Sequence, residues 1–501
     1  MNAAIGLLIA GPLTAAALAF GCGRYQRIRD AIVLSTLAAA TALSGWLLYE
    51  VERHGTQVVR VGDWNPELGI VLVADLFALL VLTVALATIL VVEIFAWGQR
   101  HTAWEANPTL AGPLMLVLTG GVSLAFLTGD LFTLFVAFEL ILVSSYVLLT
   151  HQGRRGQIRS GMTYVAINLF ASSLFLVGVA FVYAAAGTVN MALLAERIPL
   201  LPSSVQWGIG LWFLVVFGTK AAIFPLFSWL PDSYPTAPTT ITAVFAGLLT
   251  KVGVYTLIRF HTLMDFSALK PVMLAAAGAT MLVGVVGALA QNDMKRILSF
   301  HIVSQIGYMV MGLALFTTAG LTGAVLFLVH HIPTKTVLFL VGGLVEQTAG
   351  TSDLDKVGGL AARKPFLALL FAIPAMSLAG LPPFSGFVAK LAVIDAGIAD
   401  GSAAVVVVAL LVSILTLLSM VKIWLGVFWG AEHQPEPAEN TPASDQPERL
   451  YRRRHLTVIA TTMAVAGTLA VAFYAGGIWD LSERAAIALL DADVYRQEVL
   501  G

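Results

Sequence analysis

Long apolar runs separated by short polar stretches dominate the chain. A helix that crosses the hydrocarbon core of a bilayer needs about 20 mostly apolar residues. By that measure the sequence predicts an all-α membrane protein with about fourteen transmembrane helices. Their approximate limits are residues 3–22, 31–49, 69–97, 110–127, 130–150, 161–187, 205–226, 238–260, 270–290, 297–316, 321–347, 365–398, 402–430 and 455–476.

Two of these segments contain helix-breaking residues. The seventh holds Pro225, five residues after Lys220, and the twelfth holds Pro374 and then Gly380-Leu381-Pro382-Pro383. Proline removes a backbone donor and clashes with the preceding turn. Non-helical backbone at membrane depth survives only where protein or a water-filled cavity surrounds it. We therefore predict broken helices seven and twelve, and such paired breaks are typical of a transport path between two repeats.

Composition supports a membrane protein and excludes several other classes. Of 501 residues, 58% are hydrophobic and only 11% charged, whereas soluble domains have about 25% charged residues. The net charge of -1 gives no indication of a nucleic-acid partner. The single cysteine, Cys22, excludes an internal disulfide and a cysteine-based metal cluster.

The basic residues predict an orientation. With the N-terminus outside, 16 of the 28 Lys and Arg residues fall on the inner side and 7 on the outer side, Arg259 among them. Positive charge collects on the cytoplasmic side of membrane proteins. We therefore expect both termini outside and an even number of spans.

Four ionisable residues lie near the middle of predicted helices or directly after a break. They are Glu139 in helix five, Lys220 in helix seven, Lys251 in helix eight and Lys390 in helix twelve. A charge at the bilayer centre costs at least about 2.5–3.5 kcal/mol on insertion scales. One acid and three lysines on four helices leave excess positive charge that a static core would not tolerate.

This set suits the relay of protons. Burial favours the neutral form of lysine and glutamate, and a nearby opposite charge favours the charged form. Each group can therefore load and unload a proton as its neighbours change. His331 and Lys335, one turn apart on helix eleven, and His301, at the start of helix ten beside Ser304, extend the set.

Other polar features have simpler accounts. Lys422, Glu93 and Asp75 lie near helix ends and are expected to pair or reach the interface, and Asp130 is expected to be an N-cap. Residues 432–449, rich in Pro, Glu, Asp and Ala, indicate a solvated loop. The amphipathic stretch 481–500 could lie on the membrane surface, against a partner, or as a frayed tail.

The residues from Lys220 to Arg259, KAAIFPLFSWLPDSYPTAPTTITAVFAGLLTKVGVYTLIR, resemble a known signature. It is that of the proton-pumping antiporter-like subunits of respiratory complex I, membrane-bound hydrogenases and multi-subunit Mrp cation/proton antiporters. Segments 293–312, 331–343 and 378–394 resemble the same family, so the likeness covers roughly residues 70–430.

The resemblance implies a fold and a site. It implies two inverted five-helix repeats, with helices one to three at 1–109, the repeats at 110–260 and 261–430, and an acidic loop, helix fourteen and an amphipathic tail at 431–501. It also implies a hydrophilic axis for proton translocation, formed by Glu139, Lys220, Lys251, His331, Lys335 and Lys390. Because His330 precedes His331, the relay histidine stays open by one position.

Segments 64–80 and 129–149 look most like the D-type subunits of Mrp antiporters. We therefore expect a secondary transporter subunit, not an enzyme, that exchanges protons for Na+ in a bacterial inner membrane together with other membrane subunits. The alternative is a proton-pumping subunit of an NADH-quinone oxidoreductase or hydrogenase, and a purely structural scaffold is a third reading. We expect no cofactor and no metal site, and no phosphate-binding loop ending in GK[ST] is present.

Overall fold

The computed structural model describes residues 2–67, 69–99, 108–430 and 447–501. Nearly all of this chain is helical, and twelve helical segments of the described part are long and apolar enough to cross a membrane. In chain order the helices are α1 (Asn2–Gly21), α2 (Gln26–His54), α3 (Leu76–Gln99), α4 (Pro108–Leu127), α5 (Leu131–Thr150), α6 (Arg155–Ala186), α7 (Met191–Arg197), α8 (Ser203–Ala221), α9 (Trp229–Ser233), α10 (Thr239–Val244), α11 (Thr250–Leu263), α12 (Lys270–Leu289), α13 (Met294–Ala314), α14 (Thr318–Ala349), α15 (Leu360–Arg363), α16 (Pro365–Ala379), α17 (Ser385–Ala399), α18 (Ala403–Ile423), α19 (Pro447–Phe473), α20 (Ala475–Leu490) and α21 (Ala492–Leu500).

The predicted class, an all-α membrane protein, is confirmed. The α10–α11 span is continuous through a π-helical turn at Phe245–Leu249. The count of fourteen spans, the two inverted repeats and the limits 110–260 and 261–430 stay predictions.

Both predicted helix breaks are present. Helix α8 ends at Ala221, and Ala222 takes a left-handed conformation with φ of 61° before α9 begins at Trp229. Helix α16 ends at Ala379 beside Gly380, whose φ is 87°, and α17 begins at Ser385. Left-handed residues at a helix end stop the helix and satisfy its last carbonyl groups.

The prediction that the third helix begins at residue 69 is wrong. Strand β1 (Gln57–Arg60) pairs antiparallel with β2 (Val71–Ala74), and α3 starts only at Leu76. All four residues of β2 are buried, and a short apolar run of this kind cannot be told from a helix by periodicity. Asp75 ends the strand and caps the helix, since its Oδ1 accepts a hydrogen bond of 2.8 Å from the amide of Ala78.

Connecting segments group at the two ends of the helix bundle. We call one end the tail face, because it carries α20 and α21 together with the β1–β2 hairpin and the bridged pairs Leu72–Thr128 and Asp130–Asn190. At the opposite end, the loop face, Asp293 bridges Asp353. On the tail face, a 2.6 Å hydrogen bond from the Nζ of Lys270 lowers the pKa of Asp400.

The C-terminal helices pack against the chain itself, so the reading of 481–500 as a frayed tail is wrong, whereas contact of their outer side with the membrane surface or a partner stays a prediction. Their inward side chains are buried, at Ser482, Ala485, Ala486, Leu489, Tyr495 and Val499. Arg60 donates to the carbonyl oxygens of Val499 and Leu500 at 3.2 and 3.1 Å. Arg496 forms a 3.0 Å ion pair with Glu196 of α7. The acidic loop predicted at 432–449 lies outside the described residues up to position 446.

Helix α14 is the central element of the bundle. It packs against α3, α10, α13, α16, α17, α19 and α20, and almost all of its span is buried. Two glycines bring its backbone unusually close to its neighbours. A Cβ at Gly343 would lie 2.2 Å from Thr239 of α10, and one at Gly323 would lie 2.8 Å from Val393 of α17. These contacts fix the rotation of α14 between the two halves of the bundle.

Candidate functional site

Four lysines in the membrane-spanning helices are almost completely buried. Their exposed fractions are 6% for Lys220, 0% for Lys251, 0% for Lys335 and 4% for Lys390. Burying a charged group without a partner is costly, so buried ammonium groups are normally paired with acids. Among the described residues none of these four is in an ion pair.

The lysines instead donate to uncharged oxygens. Lys220 Nζ donates to Asn168 O at 3.1 Å and to Ser172 Oγ at 3.0 Å. Lys335 Nζ donates to Leu298 O at 3.2 Å, and Lys390 Nζ to Ala379 O at 2.9 Å. Lys251 Nζ donates to Ala246 O, in the π-helical turn. A neutral acceptor holds a lysine in place without fixing its proton.

Glu139 and Lys220 form the first group of the site. Lys220 is the second-last residue of α8 and lies directly before the break. Glu139 lies within electrostatic range of Lys220. The Oε1 atom of Glu139 is buried and has no hydrogen-bond partner within the described ranges. The residue as a whole is partly exposed on the side of α5 that also exposes Val136 and Val143.

A small cavity lies beside Lys220. The centre of a water molecule can occupy about 20 Å³ of it, and about 10–15 Å³ on this measure holds one water. Polar lining comes from Tyr164, Asn168, Lys220 and Trp229, and Leu249, two residues before Lys251, is among the apolar lining residues. The cavity thus has the room and the polar partners that a buried water requires.

The second group is built around α14. His331 lies in electrostatic range of Lys251 and Lys335, and Lys335 in turn of Lys251 and Lys390. His301 of α13 is a neighbour of Lys335 and Lys390, and its Nε2 is hydrogen-bonded to Ser419 Oγ. The structure therefore brings together all five of these predicted residues.

The two adjacent histidines have different surroundings. His330 Nδ1 lies 2.9 Å from Ser385 Oγ, at the first residue of α17, and Ser385 lies 3.3 Å from Ser377 on α16. Both ring nitrogens of His331 are buried and have no hydrogen-bond partner in the part of the chain that the structure describes. His330 thus contacts Ser385, which links it to Ser377 on the other side of the second helix break. His331 instead lies within electrostatic range of Lys251 and Lys335.

Several other buried polar atoms lack a hydrogen-bond partner among the described residues, and part of them lie on the helices of the second group. These are Thr250 Oγ1 on α11, His301 Nδ1 and both side-chain amide atoms of Gln305 on α13, and His330 Nε2 on α14. Orphaned buried polar atoms are rare in proteins, and ordered water commonly satisfies them. Their positions on α11, α13 and α14 indicate hydration around the second group.

Three of the residues given structural roles from the sequence, Asp130, Lys422 and Asp75, have such roles in the structure. Asp130 caps α5, since Thr133 N donates to its Oδ1 at 2.6 Å. Lys422 Nζ donates to Leu289 O and Gln291 O at 2.9 and 2.7 Å. Asp75 is an N-cap and also pairs with Arg259. Arg259, which the charge count placed at the outer side as a loop residue, lies within α11 and is buried.

Sequence reasoning missed the residues of α6 that lie beside Lys220. Tyr164, Asn168 and Ser172 stand four residues apart on α6 and so share one helix face. All three are buried, and this polar stripe across a predicted span was the available signal. Tyr308 was also missed; Lys390 Nζ lies 5.2 Å from the centre of its ring.

Comparison with known proteins places this arrangement in a family. A family model described as "NADH:quinone oxidoreductase/Mrp antiporter, TM" matches residues 128–417. The D-type subunit of a Na(+)/H(+) antiporter from Alkalihalophilus pseudofirmus is 40% identical over 100% of both chains. A chain of the Mrp complex from Dietzia superposes with a TM-score of 0.91 at 34% identity, covering 100% of this chain and 99% of that one. A chain of an archaeal membrane-bound sulfane sulfur reductase gives 0.89 at 27% identity, covering 100% of each.

The chain belongs to the NADH:quinone oxidoreductase/Mrp antiporter family of membrane subunits. Within that family it is similar along its whole length to the D-type subunits of Na+/H+ antiporters, as the sequence predicted.

Proposed function

We propose that this chain is the proton-translocating D-type subunit of a multi-subunit Na+/H+ antiporter. One observation carries the proposal: Lys220, Lys251, Lys335 and Lys390 are buried in spans and, among the described residues, donate only to uncharged oxygens. The full-length similarity to the D-type antiporter subunits supports it. The chain acts as a transporter subunit and carries out no redox chemistry of its own.

In this proposal the proton passes from Glu139 and Lys220, through the water-sized cavity, to Lys251. It continues through His331 and Lys335, with His301 alongside, to Lys390. Each lysine is held by an uncharged oxygen, which accepts from a neutral amine and, more strongly, from a protonated one. The proton count on each lysine therefore depends on the charge of its neighbours.

The proposed surroundings are a bacterial cell membrane and other membrane subunits of one complex. The excess of basic residues on the loop face supports placing that face in the cytoplasm and the tail face, with both termini, outside. The partly exposed Glu139 is the point at which a neighbouring subunit would exchange protons with this chain.

The test uses the complete complex in everted vesicles from a host that lacks other Na+/H+ antiporters. Lys251→Met is expected to lower Na+-driven proton exchange by about tenfold or more, since a positioned proton-transfer group contributes at least that much. Lys422→Met is the matched control, because Lys422 also donates to backbone carbonyls but lies outside the proposed path. Unchanged exchange in an assembled Lys251→Met complex would refute the proposal.

A redox-driven pump is the second candidate, supported by the likeness to the sulfane sulfur reductase chain. Transport measurements in vesicles without any electron donor distinguish the antiporter from the redox-driven pump. Exchange of protons for added Na+ in such vesicles supports the antiporter. A proton gradient that forms only with an electron donor, and the copurification of iron–sulfur subunits, would support the redox pump.

A further inference from the structure

A π-helical turn interrupts the α10–α11 span directly before Lys251. It covers Phe245–Leu249, all five of its residues are buried, and the carbonyl oxygen of Ala246 within it accepts a hydrogen bond from Lys251 Nζ. In a π-helical turn each amide pairs with the carbonyl five residues back instead of four, and single turns of this kind are frequent at functional sites. The change of pairing releases a carbonyl oxygen from the helical ladder, and a buried carbonyl oxygen needs a donor. Lys251 supplies a donor at Ala246.

Helix α14 contacts this turn through Thr336, which is 1% exposed. The Thr336 hydroxyl donates to the carbonyl oxygen of Ala243 in α10 at 3.2 Å and to that of Ile332 in α14 at 3.0 Å. A threonine hydroxyl has one hydrogen, so the two oxygens share it. A Cβ at Gly247 would overlap Thr336 Oγ1 and would lie 3.3 Å from Ile332 O. Only glycine lets the turn come this close to α14.

One peptide group joins these two contacts. The carbonyl of Ala246 accepts from Lys251, and the Cα of Gly247, the next residue, packs against Thr336. The carbonyl oxygen of one residue and the Cα of the next lie in the same rigid peptide plane. A displacement of Gly247 against Thr336 therefore also moves the oxygen that holds Lys251.

We propose that Thr336 is a positioning residue for Lys251: its hydroxyl holds the π-helical turn in the form that presents the Ala246 carbonyl oxygen to Lys251 Nζ. Thr336 carries no proton along the path itself. The proposal rests on the proposed function, because it needs Lys251 to relay protons.

Loss of the hydroxyl acts on Lys251 through the pairing of the turn. Without the bond from Thr336 to Ala243 O, the turn is free to return to α-helical pairing, in which Ala246 O accepts from the backbone amide of Thr250, four residues on. Lys251 Nζ then loses the acceptor that it has among the described residues. A buried amine without an acceptor is costly, so the side chain of Lys251 turns away from its place in the second group.

The first experiment separates the hydroxyl of Thr336 from its shape. Thr336→Val keeps the branched side chain and removes the hydroxyl. In the complete complex we expect the maximal Na+-driven exchange in everted vesicles to fall about tenfold, since a misplacement of about 1 Å can cost about 100-fold in rate. Thr336→Ser keeps the hydroxyl and is expected to regain most of the exchange.

The matched control is Thr322→Val. Thr322 is also buried on α14, and among the described residues its hydroxyl donates only to Thr318 O within the same helix. We expect wild-type exchange from this variant. If Thr336→Val does not assemble, Thr336→Ala takes its place, because it removes the same hydroxyl without adding volume.

A structure of the assembled variant complex gives a second readout that a general loss of stability would not change. We expect α-helical pairing across Phe245–Leu249 in Thr336→Val, with Lys251 Nζ away from Ala246 O. A π-helical turn and a lysine that both stay in place would overturn the positioning role, whatever the exchange rate.

The exchange rates distinguish failure of this inference from failure of the proposed function. Wild-type exchange by Thr336→Val, while Lys251→Met is inactive, overturns the positioning role and leaves the proposed function standing. Equal losses in Thr336→Val and Thr336→Ser, or failure of both the valine and the alanine variant to assemble, also overturn it, because shape or folding is then responsible. Wild-type exchange by Lys251→Met refutes the proposed function and, with it, the role of Thr336.

Discussion

Lys390 of α17 donates a 2.9 Å hydrogen bond to the carbonyl oxygen of Ala379, the last residue of α16. The bond crosses the break between the two helices. A positive group at a helix C-terminus is favourable, by about 0.3–1 kcal/mol at exposed sites, because the last carbonyl groups have no partner within the helix. The proton state of Lys390 is thus linked to how firmly the end of α16 is held.

Gly380 is expected to set the position of Lys390. A Cβ at Gly380 would lie 2.7 Å from Lys390 Cδ, so Gly380→Ala should displace the lysine and lower Na+/H+ exchange. Gly401→Ala is the control: its φ of 77° imposes the same backbone strain, but no atom lies within 4 Å of the added Cβ. We expect both to lose about 1 kcal/mol of stability. Equal exchange rates in the two variants would contradict the role given to Gly380.

The adjacent histidines are expected to differ in function. His331→Gln should lower exchange about tenfold or more, because a relay group is lost. His330→Gln should lower it less, because glutamine retains a hydrogen-bonding group that can reach Ser385. Exchange rates at equal complex content measure the difference, and a larger defect in His330→Gln would reverse the assignment.

Ser172 is expected to hold Lys220 in place. Ser172→Ala removes one of its two acceptors, and a hydrogen bond to a charged group contributes about 1.5–3 kcal/mol. Exchange should therefore fall several-fold without loss of assembly. The control is Ser173→Ala, the next residue, which is exposed and bonded only within α6. A defect of equal size in both variants would mean that the helix, not the lysine, is affected.

An ion pair at the loop face is expected to matter for stability. Lys295 Nζ lies 2.5 Å from Glu346 Oε2, and the lysine side chain is 6% exposed. Glu346→Gln leaves this lysine without its acid and should cost about 2–4 kcal/mol, near the lower end for buried pairs because Glu346 is partly exposed.

The matched variant replaces both partners. Lys295→Met with Glu346→Gln removes the uncompensated charge, so it should recover most of the lost stability. Thermal unfolding of the detergent-solubilised complex measures both. A double variant as unstable as Glu346→Gln would show that packing, not charge, is responsible.

The spans and breaks could be predicted because lipid imposes a strict rule on sequence. Apolar runs of sufficient length must be helices, and Pro225 and Gly380 mark where two of them stop. The hairpin before α3 could not be predicted in this way, because the four apolar residues of β2 fit either structure. The position of the C-terminal helices could not be predicted either, because an amphipathic pattern does not say which surface covers its apolar side.

The sequence predicted which charged residues form the candidate site, but it did not predict the atoms that accept their hydrogen bonds. Lysines in apolar surroundings stand out because they are expensive there. Their acceptors are mostly backbone carbonyl groups, such as Asn168 O and Ala246 O, which every residue carries and no pattern marks. The side chains of His330 and His331 are adjacent on α14 and point to different sides of the helix. Only the packing of α14 against α17 shows which of the two contacts the second helix break.

Helix α14 meets both α10 and α17 through glycines, Gly343 against the side chain of Thr239 and Gly323 against Val393, and it carries His331 and Lys335. It can therefore neither rotate nor slide without a clash on one side. A transport cycle needs some part that changes position, and in this bundle the candidates are the unwound segments 222–228 and 380–384, next to Lys220 and Lys390. We therefore expect α14 to keep its relay groups in fixed positions, and we expect alternation between the two sides of the membrane to take place at the two unwound segments.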